Sequence, residues 1–205
     1  MPANYVLLEK ITVGAAGASS VTFSSIPQTG YTDLVVKWSM RDTSASISNN
    51  VLIKINGVTT SQSVRTLSGN GSSASSYADT PLYVNAVVSN TATANTFSNN
   101  ELYIPNYNST TTSKSVSLDT VTENNATQAS AQLSAGLYAS NSAITSIEFA
   151  PNGAVTFVQG STFYLYGVAK LGTTPAIVPY ATGGDIIETD GTYWYLQHKQ
   201  YDKHL

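Results

Sequence analysis

Side chains able to do chemistry are sparse in this chain, and their spacing rarely supports it. Of 205 residues two are histidine and none is cysteine. His198 and His204 both fall in the closing segment Gln197–Leu205, so residues 1–197 lack the commonest general base and catalytic metal ligand. With Asp202 as the one carboxylate between them, the two histidines make a poor zinc set. The absence of cysteine removes thiol nucleophiles, thiolate metal sites and disulfides together. Twelve carboxylates remain, and a glycosidase needs two of them roughly 5–10 Å apart. Asp33 and Asp42 bracket a long predicted strand, which holds them too far from each other. Asp119 and Glu123 could meet at a loop, and Glu123-Asn124-Asn125 could offer oxygens to Ca²⁺. Carboxylates beside asparagine, however, are far more often turn formers. No serine sits in Gly-x-Ser-x-Gly, and Ser68-Gly69-Asn70-Gly71-Ser72 lacks the lysine and following helix of a phosphate loop. Residue types alone point away from catalysis and call for no cofactor and no metal.

Aromatic chemistry is better represented, with thirteen tyrosines. An exposed phenol ring can stack on a sugar or close a protein interface. Tyr77, Tyr103, Tyr107 and Tyr138 fall near predicted loops or strand edges, and Tyr77 and Tyr107 are the candidate glycan contacts. The run Tyr193-Trp194-Tyr195 is the densest aromatic cluster.

The elements that must position these residues are strands. Over Thr32–Arg41 the residues Leu34, Val36, Trp38 and Met40 alternate with Val35, Lys37, Ser39 and Arg41, the period of a half-buried strand. Trp38 lies mid-strand on the inward set, where it can fill the space between two sheets. Lys114–Glu123 alternates equally well, with Val116, Leu118 and Thr120 against Ser115, Ser117 and Asp119. Further strands are predicted over 5–13, 20–25, 82–88, 101–104, 131–139, 143–150 and 162–170. Val51–Gly57 and Ser61–Leu67 are expected to pair across Asn56-Gly57, which supplies the positive φ angles of a tight turn. Ser68–Asp79, rich in serine and glycine, reads as a loop. Ser89–Thr96 fits a loop or one helical turn. Short strands separated by Gly, Pro and Asn turns, without an amphipathic helix, predict an all-β antiparallel sandwich of jelly-roll type over residues 1–172.

Residues 173–205 differ in character. A proline-spaced linker, Thr173–Pro179, leads to Ile186–Thr189, Asp190-Gly191 and Thr192–Tyr195. The Asp-Gly pair between two β-prone tetrapeptides predicts a two-residue hairpin. An isolated hairpin is marginal in water, so its aromatic run needs a surface to lie on. That surface is either this chain's own sandwich or a neighbouring subunit or partner; in the second case Tyr5, Ile186, Ile187, Tyr193, Trp194 and Tyr195 are the expected contact residues.

Only 10% of residues are charged, against about 25% in an ordinary soluble domain, and Ser, Thr and Asn make up roughly a third. Such polar, nearly uncharged surface suits a protein packed into a large assembly. The net charge of −3, with scattered Lys and Arg, leaves no footprint for nucleic acid. No apolar run approaches the ~20 residues of a membrane span, and the N-terminus lacks the pattern of a signal peptide.

Several phrases carry a resemblance. Asn4–Gly14, Val21–Pro27, Tyr31–Val36, Ile104–Tyr107, Glu123–Ala126, Ala143–Ile147 and Phe163–Val168 together resemble a family of tailed-bacteriophage virion surface proteins, the head-decoration and tail-fibre-like β-sandwich proteins. Ala181–Asp185 and Asp190–Tyr195 look like the start of a glycine-rich module found in longer, tail-fibre-like relatives, here ending at Leu205. The resemblance implies a structural, non-enzymatic role in a virion and supplies no catalytic residues. It leads to the expectation of a capsid decoration or cement protein bound to the major capsid protein or other virion proteins, as a homo-oligomer, most simply a trimer. A tail-fibre or receptor-binding module recognising a host glycan is the alternative.

Overall fold

The computed structural model describes residues 4–123 and 129–169, and the backbone of 186–189 and 194–197. Every element among them is a strand. In chain order they are β1 (Tyr5–Thr12), β2 (Val21–Phe23), β3 (Tyr31–Met40), β4 (Ser48–Ile55), β5 (Gln62–Gly69), β6 (Ala74–Asp79) and β7 (Tyr83–Val88). There follow β8 (Ser98–Ile104), β9 (Lys114–Glu123), β10 (Ala129–Tyr138), β11 (Ile147–Pro151), β12 (Thr162–Ala169), β13 (Ile186–Thr189) and β14 (Trp194–Gln197). One sheet has eight strands in the order β1-β12-β3-β8-β9-β10-β5-β6, and a second has four, β2-β11-β4-β7. All strand pairs within both sheets are antiparallel.

The chain is thus an all-β antiparallel two-sheet sandwich. Its strands divide eight and four between the two sheets.

The core forms where alternating inward residues of the two sheets meet. Leu34, Val36, Trp38 and Met40 of β3 are all buried, as their spacing predicts. The Trp38 ring lies 4.8 Å from Phe149 of the smaller sheet, and Phe149 lies 5.5 Å from Phe163, back in the larger one. Burying each of these rings contributes about 2–3 kcal/mol, with a further increment from the ring contacts. Val51, Ile53 and Ile55 of β4 complete the smaller sheet's inner face. Proline ends β8 as expected, since Ile104 is followed by Pro105 and the ladder stops there.

Three expectations are corrected. The turn at Asn56-Gly57 forms, with φ of 52° and 74° and an Ile55–Val58 bridge, but β4 and β5 do not pair. β4 joins β7 and β11 in the smaller sheet, while β5 joins β10 and β6 in the larger. Local turn geometry set the bend, and the core decided which sheet each strand entered. Second, Ser68–Asp79 is no loop: Ala74–Asp79 forms edge strand β6, whose backbone pairs with β5 around a turn held by the Asn70 side chain. Third, Thr189 stands opposite Trp194 rather than Thr192, so the β13–β14 register is displaced by two residues from that of a two-residue turn at Asp190-Gly191. The predicted boundary at residue 172, the linker and Asp190-Gly191 lie outside the described residues.

Two buried cations hold loops. The Arg41 guanidinium donates to the carbonyls of Asn90, Ala92, Thr93 and Thr96, so Ser89–Thr96 is a loop folded around it. The Lys114 ammonium uses its three donors on the carbonyls of Ser109, Ser140 and Ser142. Burial lowers its pKa below the ordinary lysine value.

Gly136 of β10 faces inward, and a Cβ there would stand 2.7 Å from a Val116 methyl and 2.9 Å from Leu82. Gly136→Ala should therefore cost about 1–3 kcal/mol by overpacking, seen as a lowered thermal midpoint. Gly14→Ala, with open space around it, should stay within about 0.5 kcal/mol. Lys114→Met should cost about 2–4 kcal/mol, because three carbonyls lose a charged donor; an unchanged denaturant midpoint would contradict that assignment.

Candidate interaction surface

The inner face of the large sheet is closed by the core, so whatever the protein contacts must meet its outer face, its edges or its loops. On β1, β12, β3 and β8 the outer face is lined with tyrosine. Tyr5 stands opposite Val168, Leu7 opposite Tyr166 and Lys10 opposite Tyr164. Val35 of β3 lies between Tyr166 and Tyr103, and Lys37 between Tyr164 and Glu101. Val35 is only 1% exposed although it points away from the core, and its large neighbours account for the cover.

The row is ordered by several polar contacts. Tyr164 and Tyr166 hold their rings 6.5 Å apart with planes 21° from parallel. The Lys10 ammonium sits 5.5 Å from the Tyr164 ring centroid. Lys37 and Glu101 form an exposed ion pair at 2.7 Å, worth well under 1 kcal/mol in stability but fixing two long side chains. The Tyr103 hydroxyl donates to Asp33 at 2.8 Å, and the other Asp33 oxygen accepts the Asn106 amide at 2.9 Å. That carboxylate pushes the Tyr103 pKa up to about 12, because ionising the phenol would break the bond and set two negative charges together. Tyr5 (55% exposed) and Leu7 (49%) stand at the rim on the edge strand.

The expected site residues divide sharply. Tyr5 is exposed at the rim of the tyrosine row. Ile186, Ile187, Trp194 and Tyr195 belong to the β13–β14 pair by their backbone, and Tyr193 lies outside the described residues, as do His198 and His204. Tyr107 is fully buried with its hydroxyl donating to the Pro27 carbonyl, so it has no face to offer a glycan. Tyr77 lies opposite Thr66 on the inward face of β6 and accepts the Asn85 side-chain amide at 3.2 Å. Its hydroxyl is bonded within the protein and its ring is half-buried. Tyr138, like Tyr107, is buried. The residues on the open face, Tyr164 and Tyr166, were not singled out. Their alternation with Phe163, Leu165 and Gly167 was visible, but an apolar and aromatic run does not say which set faces the core.

The carboxylates are also rearranged. Asp119 and Glu123 lie on one strand, about 13 Å apart by strand rise, and do not meet. The structure instead sets Asp119 directly across from Glu101. This pair sits on an open sheet face with Lys37 bonded to Glu101, in a shallow depression lined by Lys37, Asn99, Asn100, Glu101, Asp119 and Val121. Among the described residues no three of His, Cys, Asp and Glu converge as a metal site would require. Residues 124–128, with the candidate Ca²⁺ donors Asn124 and Asn125, lie outside the described residues.

A spectrophotometric titration should show one tyrosine ionising near pH 12, and Asp33→Asn should return it toward 10. The folded state holds that proton more tightly than the unfolded chain does. The stability it contributes is therefore complete below about pH 10 and lost as pH rises through about 12. A titration unchanged by Asp33→Asn would remove the proposed bond.

Comparison of the chain with protein-family models, with curated proteins and with solved structures finds no match in any of the three.

Proposed function

We propose that the chain is a non-enzymatic structural protein of a tailed-bacteriophage virion, a capsid decoration or cement protein that binds and stabilises the coat shell. The observation that carries this reading is the tyrosine-lined outer face, where Tyr5, Leu7, Tyr164 and Tyr166 cluster beside a single ion pair. Tyrosine gives large, rigid contact area at low entropic cost and keeps a hydroxyl for the wet rim of an interface. A cement protein gains affinity in this way, by closing aromatic and aliphatic surface over neighbouring coat subunits. The Trp194 arm is a second grip in this reading, since a short hairpin needs a surface beneath it. The sparse charge and the sequence resemblance support the same assignment.

The second reading, a tail-fibre or receptor-binding module, draws on the same row. Parallel tyrosine rings beside Lys37 and Glu101 are what a glycan would stack on and hydrogen-bond to. In that case Tyr164 and Tyr166 are contact residues, and the fully buried Tyr107 is not.

Particles rebuilt with Tyr5→Ala/Tyr166→Ala, or with Trp194→Ala, should lose occupancy about tenfold or more at limiting protein, measured by quantitative gel or electron microscopy. Full occupancy by both variants would refute the cement role. Glycan-array binding by the purified protein that Tyr164→Ala abolishes would replace it with the second reading.

A further inference from the structure

At the other end of the large sheet the usual polarity of a strand is reversed. On β10 the small and polar set Ser130, Gln132, Ser134 and Gly136 faces inward, while Ala131, Leu133, Ala135 and Leu137 face out. Leu133 lies between Leu67 of β5 and Asp119 of β9, and Ala131 lies beside Val121. Leu67 and Leu133 are 61% and 55% exposed, and Val121 and Leu137 are exposed beside them. A contiguous aliphatic patch of this kind on an otherwise polar protein marks a contact surface.

The charges at its border say what it contacts. Arg65 is two residues from Leu67 on β5, and its guanidinium donates to the carbonyl of its own neighbour Val64 at 3.0 Å. Asp119 faces Glu101 across the β8–β9 ladder, an unfavourable like-charge pairing. Neither Arg65 nor Asp119 joins an ion pair among the described residues, where the pairs are Lys37–Glu101 and Lys54–Glu148. Two strand spacings across and two residues along put Arg65 and Asp119 about 12 Å apart on one face. Leu133 and Ala135 lie between them. One cation and one anion on opposite sides of an apolar centre make a surface complementary to itself. A two-fold axis in the plane of the face, perpendicular to the Arg65–Asp119 line at its midpoint, lays Arg65 of each copy over Asp119 of the other.

We propose that this face pairs with the same face of a second copy of the chain, with Leu67, Val121, Leu133 and Leu137 meeting at the centre and two Arg65–Asp119 bridges flanking them. The contact centres on β9, β10 and β5 and adjoins the tyrosine row at the β8–β9 ladder, where Asp119 faces Glu101. It is isologous, and its building block is a dimer.

Sedimentation equilibrium of the full chain tests this. The wild-type chain should associate as a dimer at concentrations on the order of 100 µM or below. Leu133→Glu should render it monomeric. Arg65→Asp and Asp119→Arg should each weaken the dimer about tenfold or more, since each sets like charges together twice. The double swap should restore affinity to within about threefold, because opposite charges face each other again. All three positions are exposed, and unchanged circular dichroism of the variants separates lost pairing from lost fold. A wild-type monomer at that concentration, an oligomer of three-fold type, or a double swap weaker than either single would each overturn the proposal. So would a patch that becomes competent to associate only when residues 173–205 are removed, which would make this chain's own arm the occupant.

Discussion

The contact of Trp38 with Phe149, carried on to Phe163, ties the two sheets together, and most of the structure follows from it. It joins a central strand of the eight-stranded sheet to the smaller sheet packed over it. Once that spacing is set, the pleat decides the direction of every side chain on the strands hydrogen-bonded to β3, because register passes from strand to strand without a free choice. Tyr166, Tyr103 and Lys37 face out because Phe163, Leu102 and Trp38 face in. The tyrosine row is thus the reverse side of the aromatic core, and neither could be moved without the other.

Four strands cannot cover eight. Where the smaller sheet faces β3 and β12, the inner layer is aliphatic and aromatic. Toward β9, β10 and β5 it becomes Thr120, Thr122, Ser134, Gln132 and Thr66, which satisfy one another or the β7 backbone: Thr66 meets Ser134 at 2.9 Å, and Thr122 donates to the Ala86 carbonyl at 2.7 Å. Close approach there excludes bulk, as the space around Gly136 illustrates. With Ser130, Gln132, Ser134, Gly136 and Tyr138 on the inner face, the pleat puts the aliphatic residues of β10 on the outer one.

In a chain with so few charges, individual ones have identifiable structural work. Arg41 and Lys114 are buried on backbone carbonyls and close the loops that cover the open parts of the sandwich. Both therefore act as donors to loops rather than as partners of carboxylates, and the energetic stake is the carbonyls they leave behind if removed. Asp33 is the anionic counterpart, accepting from Tyr103 and from the chain just after β8.

Local pattern alone was enough to show that the regular elements of the described residues are strands, that Leu34, Val36, Trp38 and Met40 face a core, that Val116, Leu118 and Thr120 share one face of β9, and that a tight turn stands at Asn56-Gly57. Each of these is encoded within a few neighbouring residues, by a period of two or by a backbone angle only certain residues accept. The partners of each strand were not legible, which is why β4 and β5 part at a turn that looked like a hairpin, and why Ala74–Asp79 becomes a strand only because β5 offers it an edge. Nor was the outward face of a strand whose two sets are both acceptable inside. Tyr107 stands among polar residues in the sequence and is buried, whereas Leu133, in an aliphatic set that could equally face a core, is turned out. Those outcomes were left to the tertiary structure, because burial depends on which strand lies alongside and how much room the opposite layer leaves, and both are set by residues distant in the chain.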